Sequence, residues 1–567
     1  MNSLSTDVLV IGGGATGVGC LRDLAMRGIR AVLVEKGDLT HGTTGRYHGL
    51  LHSGGRYVVK DRQSATECAE ENVILRRIMP HCLEDTSGFF VVTPFDDPAY
   101  GDQFLQACHE THVPVSEIPL AEALRREPLL NPRISRVFEV ADGGADSFLA
   151  THANALSARE HGAQVLTYHS VVDLIREGDQ ICGAVVEDLR SGEQRRIEAR
   201  YVLNAAGAWA GKIAALAGVT VTVVPGKGTM VAMNHRMVNT VLNRCKMPAD
   251  GDIIVPIRSV AVIGTTDVHV PDPDIYGIEP EEIQFMLEEG EKLIPGFIHY
   301  RALRAWAGVR PLYKDQDVTN DRDISRTYKL LDHAERDGVS GFISIVGGKW
   351  TTYRLMAQEA IDHLATKLGN SRACRTADEI LPVPNTETRG TPQPPTSNTQ
   401  HLFWMGKPLA DIEHEHAYGE LICECELVTK ARIKAAIASG ASNLDDVRRD
   451  VRMGMGPCQG GWCIYRTAAL LFEQPPVASG PQTVGRDAST VHNSPSVQNA
   501  NAALLHFLQE RWKGLIPVLW GDQLRQARID ELIYASVLGV QRLRPIAESG
   551  GGIVTDHPAV ATEYVKA

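Results

Sequence analysis

The stretch from Thr6 to Gly17, TDVLVIGGGATG, decides the fold. Its first half is a short β-branched run, the composition of a strand buried on both faces of a parallel sheet. The glycines come next, and VGCLRDLAMRG keeps a helical pattern as far as Gly28, a natural C-cap. AVLVE then makes a second strand that ends on Glu35. Gly12-x-Gly14-x-x-Gly17 therefore falls at the strand-to-helix turn of a βαβ unit. There the first glycine permits the tight turn, the second lets the backbone approach a pyrophosphate, and the third lets the helix pack closely. Ala15 and Thr16 open a helix whose N-terminal N–H groups suit the same phosphates. Glu35, with Lys36 beside it, can take the ribose diol. This is a dinucleotide site, and the fingerprint leaves FAD and NAD open.

Working outward, the chain has 567 residues, 43% hydrophobic and 22% charged, as a globular protein of about three or four units would. Its 57 Lys+Arg against 69 Asp+Glu leave a net charge of −12. That argues against a nucleic-acid partner, because attraction to phosphate backbones needs positive charge. A local arginine cluster can still hold one small anion. The opening MNSLSTDVLVIGGG has no basic n-region and no small-residue cleavage site, so no signal peptide is expected. No run approaches the ~18 apolar residues of a membrane-spanning helix. Eleven cysteines are too sparse for a disulfide framework in a chain of this length. Seven are scattered (Cys20, Cys68, Cys82, Cys108, Cys182, Cys245 and Cys374) and are expected to be small buried hydrophobes. The other four cluster near the end.

From about residue 40 to 370, strand-like runs such as FFVVT, YVLNAAG, TMVAM, SVAVIGTTD and GFISIVGG alternate with helical stretches. Two breaks rich in Pro, Thr, Ser and Asn follow, one within 382–400 and one over 473–500, and both read as linkers. After the second, NAALLHFLQERWKGLIPVLWGDQLRQARIDELIYASVLGV is mostly helical and amphipathic.

Three further segments resemble cofactor-contacting parts of flavin enzymes of the glycerol-3-phosphate and amino-acid oxidase kind. THGTTGRYHG, with Thr43, Thr44 and Gly45, would lie under the pyrophosphate and flavin. NAAGAWA, with Ala206 and Gly207, would bring the chain back to the dinucleotide, and GGKWTTYR, with Gly348 and Thr351, would sit at the ring. Together they favour FAD. HGLLHSGGRY, VLNRCKMPADGDIIVP, IGTTD, GVRPL, ISRTYKLLDHAERDG and WKGLIPVLWGDQLRQA extend the likeness over nearly the whole chain. The sequence resembles the FAD-dependent glycerol-3-phosphate dehydrogenase family, and within it the anaerobic, multi-subunit branch.

That resemblance implies an α/β fold: a Rossmann-like FAD-binding domain of the D-amino-acid-oxidase type interleaved with an antiparallel-sheet substrate domain over residues 1–380. A linker would follow at 381–405, a small helical iron–sulfur domain at 406–472, a second linker at 473–500 and a helical segment at 501–567. The implied reaction is oxidation of sn-glycerol 3-phosphate to dihydroxyacetone phosphate by hydride transfer to FAD. Arg56, Tyr57, Arg310, Arg326 and Lys349 match the family's substrate positions, and arginine forks suit phosphate oxygens. His52 is the candidate for proton transfer, with Lys349 the rival and Arg310 as electrostatic support. Aerobic single-subunit relatives carry a histidine where KGTM here places Met230, and methionine cannot shuttle a proton. The resemblance further implies a second flavin subunit together with an iron–sulfur membrane-anchor subunit. Electrons would pass through them to a quinone, with this chain peripheral on the cytoplasmic face of the inner membrane.

The clustered cysteines read Cys423-x-Cys425 and, further on, Cys458-x4-Cys463. Two close thiolate pairs can enclose one zinc or one [2Fe-2S] cluster. The C-x-C spacing and the donor-rich loop GPCQGGWC favour the cluster, and the segment resembles the bacterioferritin-associated-ferredoxin-like module. The stretch LVTKARIKAAIASGASNLDDVRRDVRMGMG is expected to be the helix it packs on. Two other readings stay open: an FAD enzyme for a 2-hydroxy acid or an amino acid, with the arginines on a carboxylate, and a zinc-stabilised scaffold protein within a redox complex.

Overall fold

A computed structural model describes residues 3–314, 327–384, 406–414, 420–473 and 495–537; Arg326 and most of both linker ranges lie outside these described residues. The opening stretch forms β1 (Ser3–Ile11), α1 (Ala15–Met26) and β2 (Ala31–Glu35). β1 runs parallel to β2, with Val10 opposite Leu33, and parallel on its other side to Gln194–Asn204, with Val10 opposite Leu203. Gln164–Thr167 and Phe342–Gly347 extend the parallel core at its two sides. One edge of Gln194–Asn204 pairs with β1; along its other edge Gln194–Glu198 pairs antiparallel with Gln180–Asp188, which pairs with His169–Glu177, and Val202–Asn204 pairs parallel with Phe342–Gly347.

The side-chain period of two explains why the first run reads as continuously apolar. Val8 and Val10 face the helices α1, Ser147–Glu160 and Tyr353–Leu368, packing with Leu21, Leu24, Ala155 and Ile361. Leu9 and Ile11 face the meander and the helix Ala210–Leu216, packing with Ile181, Val186 and Ala214.

A second, nine-stranded sheet is mostly antiparallel. Its spine is Val223–Met233, paired along its length with Ala302–Tyr313 and at one end with Val260–Gly264. Val241–Arg244 lies parallel to Gly88–Val92, so segments far apart in the chain share this layer. The two sheets interleave in sequence, as the fold class expected.

The cysteine unit has a short ladder, Leu421–Cys423 with Val428–Thr429, and helices Lys430–Ala438, Leu444–Val451 and Cys463–Leu471. Its packing body is two helices where the sequence suggested one. Gly440 at φ +115° breaks the run, and Asn443 caps the second helix by accepting from the Asp446 N–H. The helix Pro495–Leu515 starts inside the range read as a linker. Its Leu504 and Phe507 complete one core with Ile433, Val447 and Ile464. Two pairs fasten this unit to the loop after β2 and to the helix Ser147–Glu160: Arg449 to Asp38 at 2.8 Å and His152 to Asp450 at 3.1 Å. Among the scattered cysteines, Cys20, Cys68, Cys82, Cys108 and Cys245 are buried, while Cys182 and Cys374 are only half-buried. No helix among the described residues is long and apolar enough to cross a membrane.

Candidate active site and cysteine cage

A cavity of about 1470 Å³ runs between the two sheets. Gly12, Gly14, Ala15, Thr16, Glu35, Lys36, Thr43, Thr44, Ala206, Gly207 and Gly348 of the expected cofactor set line it. The cradle is built from absent side chains. Gly12 sits at φ +114°, and a Cβ there would fall 2.5 Å from the Ala205 carbonyl oxygen. A Cβ on Gly17 would fall 1.9 Å from the Gly12 oxygen, so Gly17 supports the turn from behind and does not line the cavity. Gly14 caps α1 without a side chain, so no capping side chain competes with a ligand for the helix N-terminus. Glu35 accepts from the N–H groups of Gly13 at 2.7 Å and Gly37 at 2.8 Å, which fixes its carboxylate at the end of β2. Thr44 Oγ1 accepts from Ala15 N at 3.0 Å and ties the 40–49 loop to the helix start. These are the features a dinucleotide needs, and they fit FAD, whose pyrophosphate would be held at the helix N-terminus and whose ribose would be held at Glu35. Gly45 and Thr351 do not line the cavity; Thr351 is buried, and its hydroxyl accepts from the His52 N–H at 3.0 Å.

The expected substrate residues come together on the same cavity. His52, Arg56, Tyr57, Arg310 and Lys349 all line it. Tyr57 is the hub: its hydroxyl lies 3.5 Å from His52 Nε2, and Lys349 Nζ lies 5.1 Å from its ring. Lys349 also donates to Ser64 Oγ at 2.8 Å. Arg310 reaches the cavity because the spine strand pairs Gly226 with it. Its guanidinium meets Asp267 at 3.0 Å and donates to the Thr266 carbonyl at 2.9 Å and to the Thr265 hydroxyl. Arg56 pairs with the buried Asp252 at 2.9 Å and donates to the Ala249 carbonyl at 3.0 Å. The loop Ala249–Asp252 joins the two arginines, since Asp250 accepts from Asp267 N at 3.1 Å. Burial holds the Asp250 carboxyl above its ordinary value. Met230 also lines the cavity, on the strand carrying Gly228, whose missing side chain makes room for the Arg310 guanidinium.

Sequence reasoning missed the residues that hold Arg310. Thr265 and Asp267 sit in IGTTD, a motif that pointed to the family without an assigned role. It also missed Tyr47 and Trp350, stacked at 5.9 Å on the cavity wall. Burial first, and then the nearby Asp146 charge, pushes the Tyr47 hydroxyl far up. Both lie inside segments read for their glycines, their threonines and Lys349, and not for their aromatic rings.

The four clustered cysteines meet in one cage. Cys423 Sγ lies 3.7 Å from Cys425 Sγ, which lies 3.9 Å from Cys458 Sγ, and Cys463 approaches Cys423. The Cys423 thiol is drawn down, first by hydrogen bonds from Cys425 and Cys463 and, against burial, by the N–H groups of Gly454 and Glu426. Cys458 is drawn down by Cys425 and, against burial, by the N–H groups of Gly460 and Gly461. Cys425 and Cys463, as the donors in those contacts, are driven up. A Cβ on Gly456 would fall 2.5 Å from Cys425 Sγ, so the glycine keeps the backbone against the sulfur. Converging thiols ringed by backbone donors fit a [2Fe-2S] cluster.

Comparison with known proteins agrees with both cofactors. Residues 7–354 match the family model described as FAD dependent oxidoreductase, and residues 421–473 the model described as BFD-like [2Fe-2S] binding domain. The chain is similar to one of the subunits of the anaerobic glycerol-3-phosphate dehydrogenase of Escherichia coli (strain K12), 41% identical over 557 residues, covering 95% of this chain and 98% of that one. It is 43% identical to an anaerobic glycerol-3-phosphate dehydrogenase subunit of Haloferax volcanii, covering 94% of this chain and 91% of that one. The solved glycerol-3-phosphate dehydrogenase of Bacillus halodurans, complexed with FAD, superposes with a TM-score of 0.58 at 20% identity, covering 96% and 97% of the two chains. At that identity the likeness establishes the fold.

Proposed function

We propose, on the premise that this chain belongs to the FAD-dependent oxidoreductase family and to its glycerol-3-phosphate dehydrogenase branch, that it oxidises sn-glycerol 3-phosphate to dihydroxyacetone phosphate. Its cofactors are FAD and a [2Fe-2S] cluster. The observation that carries the reading is the cavity itself, where a dinucleotide cradle opens onto Arg56, Arg310 and Lys349 around His52 and Tyr57. The flavin supplies a hydride acceptor when bound.

The protein's residues do the rest. Arg310, aimed by Asp267 and Thr265, and Arg56, aimed by Asp252, give the phosphate fork-shaped donors in fixed orientation. Holding the secondary carbinol in one orientation removes the entropic part of the barrier. Arg326, outside the described residues, belongs to the same proposed set. His52 Nε2, within reach of the Tyr57 hydroxyl, is the proposed acceptor of the substrate hydroxyl proton. Lys349 stabilises the oxyanion that forms. Met230 lines the same cavity and cannot shuttle a proton, which leaves the proposed route to His52 and Tyr57.

Both curated relatives are named as subunits of a larger enzyme, which supports companion subunits for this chain. We read these as a second flavin subunit, joined by an iron–sulfur membrane anchor, that pass electrons to a quinone. This chain would then be peripheral on the cytoplasmic face of the inner membrane. The relatives favour the phosphate substrate over a 2-hydroxy acid or an amino acid, and the [2Fe-2S] module over a zinc scaffold.

The deciding experiment is anaerobic stopped-flow mixing with glycerol 3-phosphate. The flavin absorbance is expected to bleach with saturating substrate, and no bleaching would sink the assignment. Arg310→Ala is expected to cost about 2 kcal/mol or more in substrate binding, roughly 30-fold in KM, because it removes a fork-shaped donor from the phosphate. Arg310→Lys should recover only part of it, since an ammonium cannot reproduce the fork. An unchanged KM would place Arg310 outside the phosphate site.

A further inference from the structure

We infer that a buried charge chain, Glu426–Arg452–Asp146, sets the reduction potential of the cluster from the flavin side of the domain boundary. The inference rests on the reading that the four cysteines hold a [2Fe-2S] cluster.

Glu426 follows Cys425 directly, and its N–H reaches the Cys423 sulfur. Its side chain is fully buried and turns the other way. There it accepts from Ser259 Oγ at 2.6 Å and from Arg452 Nε at 3.0 Å. Arg452 closes the helix Leu444–Val451 in a left-handed conformation, φ +65°, two residues before Gly454, whose N–H also reaches Cys423. The Arg452 guanidinium stands 3.6 Å from Asp146 Oδ2, and Arg258 stands 3.9 Å from the same oxygen. Asp146 belongs to the flavin domain. It caps the helix Ser147–Glu160 by accepting from Leu149 N at 3.0 Å. Its neighbour Ala145 donates to the Gly49 carbonyl at 2.7 Å, in the loop that continues into the cavity wall at Leu50.

Alternating charges are thus pinned at one end beside a cluster ligand and at the other beside the flavin loop. Buried charges act over distances at which surface charges are screened. A cluster gains one negative charge on reduction, so a nearby carboxylate disfavours the reduced state and a nearby guanidinium favours it. Net charge and hydrogen bonding around the sulfurs are what tune such potentials. A plain interdomain clasp would have no reason to place its carboxylate on the residue that follows a ligand and gives its N–H to another. It would also predict something different, a loss of cohesion with no ordered change in potential.

The test is an EPR-monitored redox titration of the full holoprotein and three variants, with iron content measured alongside. Glu426→Gln and Asp146→Asn, each removing a negative charge, are expected to raise the midpoint potential. Arg452→Gln is expected to lower it. The largest shift, at Glu426, is on the order of tenfold in the one-electron equilibrium, or 59 mV. Asp146→Asn is the decisive variant if the others lose iron. Asp146 Oδ2 makes no hydrogen bond, and asparagine keeps the helix cap, so only the charge changes. An unchanged potential in Asp146→Asn, or shifts of the same sign in Asp146→Asn and Arg452→Gln, would overturn the inference. Failure of the underlying cluster reading would look different, as a wild-type protein with no EPR-active iron.

Discussion

Gly17→Ala is expected to yield protein that purifies without its flavin. A Cβ at Gly17 would sit 1.9 Å from the Gly12 carbonyl oxygen and 3.1 Å from its carbonyl carbon, and both are backbone. Backbone cannot rotate away as the tip of a side chain can. Nor can Gly12 retreat, because its own Cα hydrogen already faces the Ala205 carbonyl, where a Cβ would be at 2.5 Å. The three layers are locked together by the ladder, with Ile11 opposite Asn204 and Ala205 N donating to the Ile11 carbonyl at 2.9 Å. Helix α1 must therefore swing out and carry its N-terminal donors away from the pyrophosphate. Overpacking of this kind costs about 1–3 kcal/mol or more in stability. The loss of aligned donors should lower FAD affinity further than the stability cost alone. Gly19→Ala is the matched control. Its Cβ would meet the Ala357 Cβ and the Tyr353 ring at 3.1 Å, a squeeze of a few tenths of an ångström and not a collision with backbone. Flavin content and thermal unfolding of the two variants check the prediction; equal flavin content would refute it.

This same stack shows what the sequence made legible and what it did not. The βαβ unit could be read because both of its signals are local: the period of the strands and the glycine spacing. NAAGAWA could be read as a returning segment, yet its contact with Gly12 is a product of the parallel pairing of β1 with Gln194–Asn204, set by burial of both faces. The second sheet was legible as strands but not as a layer. Val241–Arg244 finds Gly88–Val92 across some 150 residues of chain, and nothing in either window encodes that pairing. Arg310 was visible in GVRPL, whereas Asp267 and Thr265 become its holders only because Val223–Met233 pairs on one side with Ala302–Tyr313 and on the other with Val268–His269. Charges at the domain boundary were the least legible. Within VRRDVRMG, Arg452 has the look of a solvated helix end, yet it is 9% exposed, because an acidic residue from each domain meets it.

Cys458→Ala is expected to abolish the cluster while leaving the substrate half-reaction intact. Changes in groups that merely orient ligands cost ~10–100-fold in metal affinity, so loss of one of four ligands should cost more. Iron content and the EPR signal should fall to background. The flavin side should not follow, because every residue lining the cavity comes from Ile11–Met356 and none from the cysteine unit. Bleaching of the flavin by glycerol 3-phosphate should therefore proceed at the wild-type rate, while electron delivery to an external acceptor slows. The cysteine unit itself should also weaken. Its ladder is three residues against two, and Cys423 and Cys463 are themselves members of its core. A small unit of that kind draws folding free energy from its metal. Its unfolding transition should move to lower temperature than that of the flavin domain, with Arg449–Asp38 and His152–Asp450 as the contacts released first. If acceptor reduction instead continues at the wild-type rate without iron, electrons leave the flavin directly and the cage is structural alone.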